Sequence, residues 1–253
     1  MTGPETPALW AATVAVTLLA GVIKGAVGFA MPLVMISLLT LFLDPRLALA
    51  GIILPIVASN GLQVLRMGLG PAREAVRRHW RYLVVICVAI FSAAQLVPRM
   101  SPEVFYLVLG VPVVALSVVQ LIGWRPVIPE ARRKGAEWGV GLLSGLLGGL
   151  AGTWGPTTVL YLIALQTPKA RQIVVQGVIY GVGSVMLLLG HLQSGILNGG
   201  TVWFSAALLP VALLGMWAGF QLQDKMDAAL FRRVTLIVLT VAGLNLIRRG
   251  LGF

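Results

Sequence analysis

Residues 24–32 read KGAVGFAMP, a lysine, two glycines and a proline set inside an apolar run. Glycine costs about 1 kcal/mol against alanine in a helix interior and proline about 3. A lysine in hydrocarbon is also expensive. A continuous helix is therefore not the expected course of the chain here. Residues 148–156, GGLAGTWGP, show the same pattern.

The two breaks are in register. A shift of 124 residues superimposes Gly21 on Gly145, Gly25 on Gly149, Gly28 on Gly152 and Pro32 on Pro156. Leu18, Leu19, Leu38 and Leu41 meet Leu142, Leu143, Leu162 and Leu165, giving eight identities in 24 ungapped positions. Leucines recur by chance in an apolar chain. Glycines and prolines at both helix breaks do not, and they mark an internal repeat. The chain divides into halves 1–124 and 139–253, joined by a basic linker 125–138, RPVIPEARRKGAEW.

Composition gives the class. The chain has 253 residues, 58% hydrophobic and 11% charged, with a mean hydropathy of +0.94; soluble domains carry roughly 25% charged residues. The expected fold is all-α and polytopic in the membrane. Apolar runs fall at 8–23, 31–43, 47–64, 82–97 and 104–124, then at 139–151, 157–165, 173–189, 202–220 and 234–247. That is about five helical segments in each half. The last three of each set approach the ~20 residues a spanning helix needs. The first two of each set are short. They are expected to form a broken or re-entrant hairpin whose tip lies near the midplane, where irregular backbone requires surrounding protein.

Charge placement sets the orientation. Five arginines lie in 66–81, four basic residues in 125–134, and others at Lys169, Arg171, Lys225, Arg232 and Arg233. Basic residues collect in cytoplasmic loops. Putting these 14 inside leaves Arg46, Arg99, Arg248 and Arg249 outside and Lys24 within a run. The N-terminus is then periplasmic and the halves are inverted. The pair Arg248–Arg249 runs against the rule. The first seven residues, MTGPETP, lack the basic stretch of a secretory signal, so the first run is expected to be retained. A single cysteine, Cys87, excludes an intrachain disulfide. Basic residues scattered over short membrane loops do not make a nucleic-acid surface.

Inverted repeats with discontinuous helices are the plan of many secondary transporters, with substrate at the repeat interface. The breaks suit an anion. A helix starting near Pro32 or Pro156 presents unpaired N–H groups and the positive end of its dipole, and the glycines let a ligand approach the backbone. The candidate binding residues are Lys24, Gly25, Gly28 and Phe29 at the first break and Gly152, Thr153, Trp154, Gly155 and Thr157 at the second. Asn60 and Gln63 in the third run, and Gln176 and Tyr180 in the eighth, add a polar face to the equivalent following helices, which Ser184 continues. Lys24 aligns with Gly148, so the site would carry one formal charge and be asymmetric.

The segments GVIKGAVGFAMPLV, GLLSGLLGGLAGTWGPTTVLYL and KARQIVVQGVIYGVGSVMLLL together resemble the sulfite exporter TauE/SafE (TSUP) family, over essentially the whole chain. The resemblance implies a bacterial inner-membrane transporter of sulfur-containing anions: sulfite, sulfoacetate, thiosulfate-like species, or alkyl and aryl sulfonates. The tip KGAVGF departs from the more glycine-rich first motif common in the family. With Phe29 and Trp154 it points to an organic sulfonate; export of sulfite or sulfoacetate is the alternative. A non-transporting subunit of a larger membrane complex is a further one. No cofactor or metal is expected, and no enzyme. All eight acidic residues fall at loop or terminal positions in this reading, and His79 and His191 are far apart. Partners would be the small anion and the bilayer. A co-transported Na⁺ on backbone carbonyls, or H⁺, stays open, as does the oligomeric state.

Overall fold

A computed structural model describes residues 3–124, 127–223 and 228–252. Among them the regular structure is helical. Half one holds α1 (Pro7–Val27), α2 (Met31–Leu39), α3 (Pro45–Met67), α4 (Leu69–Arg78), α5 (Trp80–Ala94) and α6 (Pro102–Leu121). Half two holds α7 (Arg133–Ala151), α8 (Gly155–Ala164), α9 (Lys169–Gln193), α10 (Thr201–Gln223) and α11 (Ala228–Gly250). Among the described residues, six helices are long and apolar enough to cross a membrane: α1, α3, α5, α6, α9 and α10.

The structure corrects three expectations of length. α1 is not short: its 21 residues run through Lys24 and Gly25 and stop only at Gly28, which takes the left-handed conformation of a helix C-cap (φ 83°). α7 begins at Arg133, inside the stretch read as linker, because the charged residues there line the first turns of an amphipathic helix. α4 forms where a basic loop was expected. It buries Ala72 and Ala75 and exposes Arg73, Arg77 and Arg78.

The helix pairs exchange between halves. α1 packs on α10, and α7 on α5; α3 packs on α10, and α9 on α5; α3 meets α9, and α6 meets α11. Glycines make the closest approaches. A Cβ built on Gly21 or Gly219 would fall at 3.0 Å or nearer to the facing helix's backbone, and one on Gly145 would lie 2.9 Å from the Ile86 carbonyl. Such small-residue seams let backbones meet where lipid offers no hydrophobic drive between helices.

Side-chain contacts place the helix ends. Trp10 near the start of α1 meets Phe204 near the start of α10 edge-on, at 5.5 Å. Arg249 of α11 donates to the Thr40 carbonyl that ends α2, and to the Tyr106 hydroxyl near the start of α6 at 2.7 Å. The α1–α2 hairpin thus turns back toward the side on which α1 starts. α7–α8 does the same at the other side. There Tyr161 of α8 lies 3.5 Å from the Glu137 carboxylate in α7, and the Ile128 amide donates to the terminal Ala164 carbonyl of α8 at 2.8 Å.

α3 contains Pro55, which has no N–H for the Gly51 carbonyl. The Ser205 hydroxyl of α10 replaces it, donating to Gly51 O at 3.2 Å and accepting from the Leu54 amide at 3.1 Å.

Candidate functional site

The two tips meet inside the protein. α1 ends at Gly28, Ala30 is also left-handed (φ 77°), and α2 starts at Met31 with Pro32 in its first turn. α7 ends at Gly152 (φ 70°) and α8 starts at Gly155 with Pro156 in its first turn. The first intrahelical bonds run from Val34 N to Ala30 O at 2.9 Å and from Thr158 N to Trp154 O at 3.1 Å. The Met31 and Leu33 amides in α2, and those of Gly155 and Thr157 in α8, precede these bonds. Neither start has a side-chain cap. Both keep the unpaired donors and the positive dipole end that favour an anion.

Between the tips lies a cavity. From half one it is lined by Lys24, Phe29, Ala30, Pro32, Leu33 and Asn60. Half two contributes Gly152, Thr153, Trp154, Gly155, Pro156 and Tyr180. The room left for the centre of a water molecule is about 20 Å³, enough for about one ordered water.

One polar chain ties four helices around it. The Lys24 ammonium, 2% exposed, donates to Asn60 Oδ1 on α3. Asn60 Nδ2 donates to the Tyr180 carbonyl on α9 at 3.2 Å. The Tyr180 hydroxyl donates to the Gly155 carbonyl at the start of α8 at 3.2 Å. Lys24 takes part in none of the ion pairs found among the described residues. The cavity therefore holds an ammonium balanced by no carboxylate.

Eight of the residues singled out in the sequence line this cavity: Lys24, Phe29, Asn60, Gly152, Thr153, Trp154, Gly155 and Tyr180. Gly25 lies outside it, against Gly219 of α10. Gly28 shapes the turn and faces open space. Thr157 sits behind the tip, its hydroxyl on the Trp154 carbonyl at 2.8 Å. Gln63 and Gln176 lie on α3 and α9 away from the lining. Ala30 and Leu33 were missed, and Pro32 and Pro156 were read as helix starts and not as lining residues. The 124-residue repeat was the available signal for them, since Pro32 and Pro156 are equivalent and Ala30 is the partner of Trp154.

Two further charged or polar residues are buried in helices, and Glu137 departs from the sequence reading. Glu137 is not in a loop. It is fully buried in α7 and paired with Arg81 at 3.2 Å and Arg133 at 3.0 Å. His191 lies in the last turn of α9. It is buried, with Nε2 at 2.9 Å from the Gly149 carbonyl. Between α4 and α5, burial and then the nearby Arg133 charge push the His79 imidazole down from 6.5 to about 4.

The description sulfite exporter TauE/SafE matches residues 13–246. The chain belongs to the TauE/SafE sulfite exporter family. The match takes in both hairpins and every residue that lines the cavity. No curated protein and no solved structure matches the chain. TauE/SafE is a family of sulfur-anion transporters, and membership in it supports a permease or exporter role for this polytopic membrane protein.

Proposed function

We propose that the protein is a secondary transporter carrying a compact sulfur oxyanion, sulfite or a short-chain sulfonate, across the bacterial inner membrane. One observation carries this reading: the buried Lys24 ammonium and the uncapped starts of α2 and α8 converge on a single cavity. Charge-assisted bonds to an oxyanion are shorter and roughly twice as strong as neutral ones. The cavity has room for about one ordered water, so the tips must separate to admit any sulfur oxyanion, and a compact one asks for the least opening. An aryl sulfonate, toward which Phe29 and Trp154 pointed, would need them to separate further.

The halves are proposed to be inverted repeats related by a two-fold axis through the α3–α9 contact. The exchange of helix partners supports this, as do the matching left-handed caps Gly28 and Gly152. Arg73, Arg77, Arg78, Arg81 and Arg133 lie at the end of the molecule where α7 starts. That end is proposed to be cytoplasmic, with the start of α1 periplasmic. An inside-negative potential favours anion exit by ~2.3 kcal/mol per charge per 100 mV, so export needs no coupled ion.

The test is flux. Liposomes loaded with sulfite and holding the purified protein should release it faster than protein-free liposomes loaded the same way, and an inside-negative potential should accelerate release. Methanesulfonate should compete and taurine, with its added ammonium, should not. Release equal to that of protein-free liposomes for both sulfite and methanesulfonate would overturn the reading.

A further inference from the structure

The cavity is closed where the two tips touch. A Cβ on Gly152 would lie 3.6 Å from Pro32 Cβ, and one on Gly155 would lie 3.9 Å from Phe29 Cδ2. The Tyr180 hydroxyl reaches this junction from α9. Its oxygen lies 3.5 Å from the same Gly155 position, and it donates to the Gly155 carbonyl at 3.2 Å. That bond ties the start of α8 to a helix outside its hairpin. Under the 124-residue shift Tyr180 pairs with Ile56 of α3. Ile56 also touches a tip, with Cδ1 3.0 Å from the Gly152 position, but its side chain has no donor. The junction is therefore held by an apolar contact from α3 and a hydrogen bond from α9. The α9 end of that bond is tied in turn, since the Tyr180 carbonyl accepts from Asn60 at 3.2 Å and Asn60 accepts from Lys24. The other end can let go at little cost. In the α8 ladder the Gly155 carbonyl also serves the amide four residues on.

We propose that the Tyr180 hydroxyl is both the latch of the cavity and a donor to the anion. In the empty protein it holds the start of α8 closed through Gly155, and as the tips part it transfers to an anion oxygen. This rests on the transport reading above and deepens it. The transfer is favourable because an oxyanion is the better acceptor, a charge-assisted bond being roughly twice as strong as a neutral one. Release leaves no buried group unpaired, since the Gly155 carbonyl keeps its helical partner and the hydroxyl gains the anion. Lys24 and Tyr180, which both line the cavity, then hold the anion from α1 and α9. An anion thus weakens the contact that keeps it out, and a neutral molecule of the same size does not.

The experiment uses Tyr180→Phe, which keeps the ring and removes the hydroxyl. Two effects of opposite kind are expected. Methanesulfonate affinity by calorimetry should fall roughly threefold to thirtyfold, the difference between a bond to an anion and one to a carbonyl. The empty protein should open more often. N-ethylmaleimide reads this on Leu33→Cys, a buried position on the cavity wall. Leu49→Cys, in the core on α3, is the control, and both carry Cys87→Ser. Tyr180→Phe should speed modification of Leu33→Cys about fivefold, the weight of one neutral hydrogen bond, and leave Leu49→Cys unchanged. Equal acceleration at both positions would mean general loosening and would overturn the latch. So would wild-type affinity, or wild-type reactivity of Leu33→Cys, in Tyr180→Phe. In each of these cases binding of methanesulfonate by the wild type leaves the transport reading standing. If wild type binds neither sulfite nor methanesulfonate, both fall.

Discussion

Lys24 shows how one side chain sets the chemistry of the site. Its ammonium is buried with a single neutral acceptor, Asn60, and no carboxylate partner among the described residues. Taking an ion out of water costs several kcal/mol when nothing neutralises it, so the free protein bears a cost that a bound anion relieves. Lys24→Met keeps the stem and removes the charge. It should lower sulfite affinity at least ~30-fold, the effect of truncating one partner of a desolvated pair. The ligand-free melting temperature should hold or rise. Calorimetry and a melt in the same buffer read both, and a loss under threefold would return the lysine to a packing role. Lys24, Asn60 and Tyr180 were legible in the sequence because polar groups stand out in apolar helices. Ala30 and Leu33 were not, because they contribute shape and backbone and no polar group of their own. Glu137 was misread because its neighbours Arg132, Arg133 and Lys134 look like a solvated loop. Only packing shows that the carboxylate turns inward to Arg81 and Arg133.

At the scale of elements, glycines do two separate jobs. Gly28 and Gly152 allow the left-handed turns that break the hairpins. Gly21, Gly25, Gly215 and Gly219 bring α1 and α10 into backbone contact. Sequence reading gave Gly25 to the ligand, since spacing cannot separate a glycine at the tip, Gly28, from one on a seam a helical turn before it. The difference is testable. Gly25→Ala would put a Cβ 2.8 Å from the Gly219 Cα and should cost about 1–3 kcal/mol by overpacking. Gly139→Ala, on an open face of α7, should be neutral or stabilising by up to about 1 kcal/mol. Melting curves of the two variants in one detergent give the comparison; equal shifts would contradict the seam. The breaks themselves were readable from Gly and Pro. The length of α1 was not, because Lys24 looked like the end of an apolar run and is instead held inside by Asn60.

For the whole molecule, the low share of charged residues carried the all-α membrane class, and the 124-residue shift located the two helix breaks. Gly/Pro register indicated two hairpins, and contacts then showed each returning to its own side. Arg249, which the charge rule left without a purpose, ends α2 by donating to Thr40 and stacks on Tyr106 at 4.3 Å. Sequence could not reveal this, since the partners are 209 residues apart. The proposed orientation predicts opposite labelling of two exposed positions, Arg73→Cys in α4 and Gly199→Cys before α10, each in a Cys87→Ser background. An impermeant maleimide applied to intact cells should modify Gly199→Cys and leave Arg73→Cys untouched until the membrane is opened. Modification of both from outside would refute the orientation.

The crossed pairing of the helices also bears on how the protein is made. The ribosome delivers α1 and α2 well before α10 and α11, which hold the partners of the α1 glycines and of the Thr40 carbonyl. Until those helices enter the membrane, the first hairpin has an open glycine face and an unpaired terminal carbonyl. Backbone groups in that condition are costly in lipid. Synthesis therefore completes the early half of the molecule with the late half, and a chain halted before α11 would be an unfinished membrane insert rather than a smaller working unit.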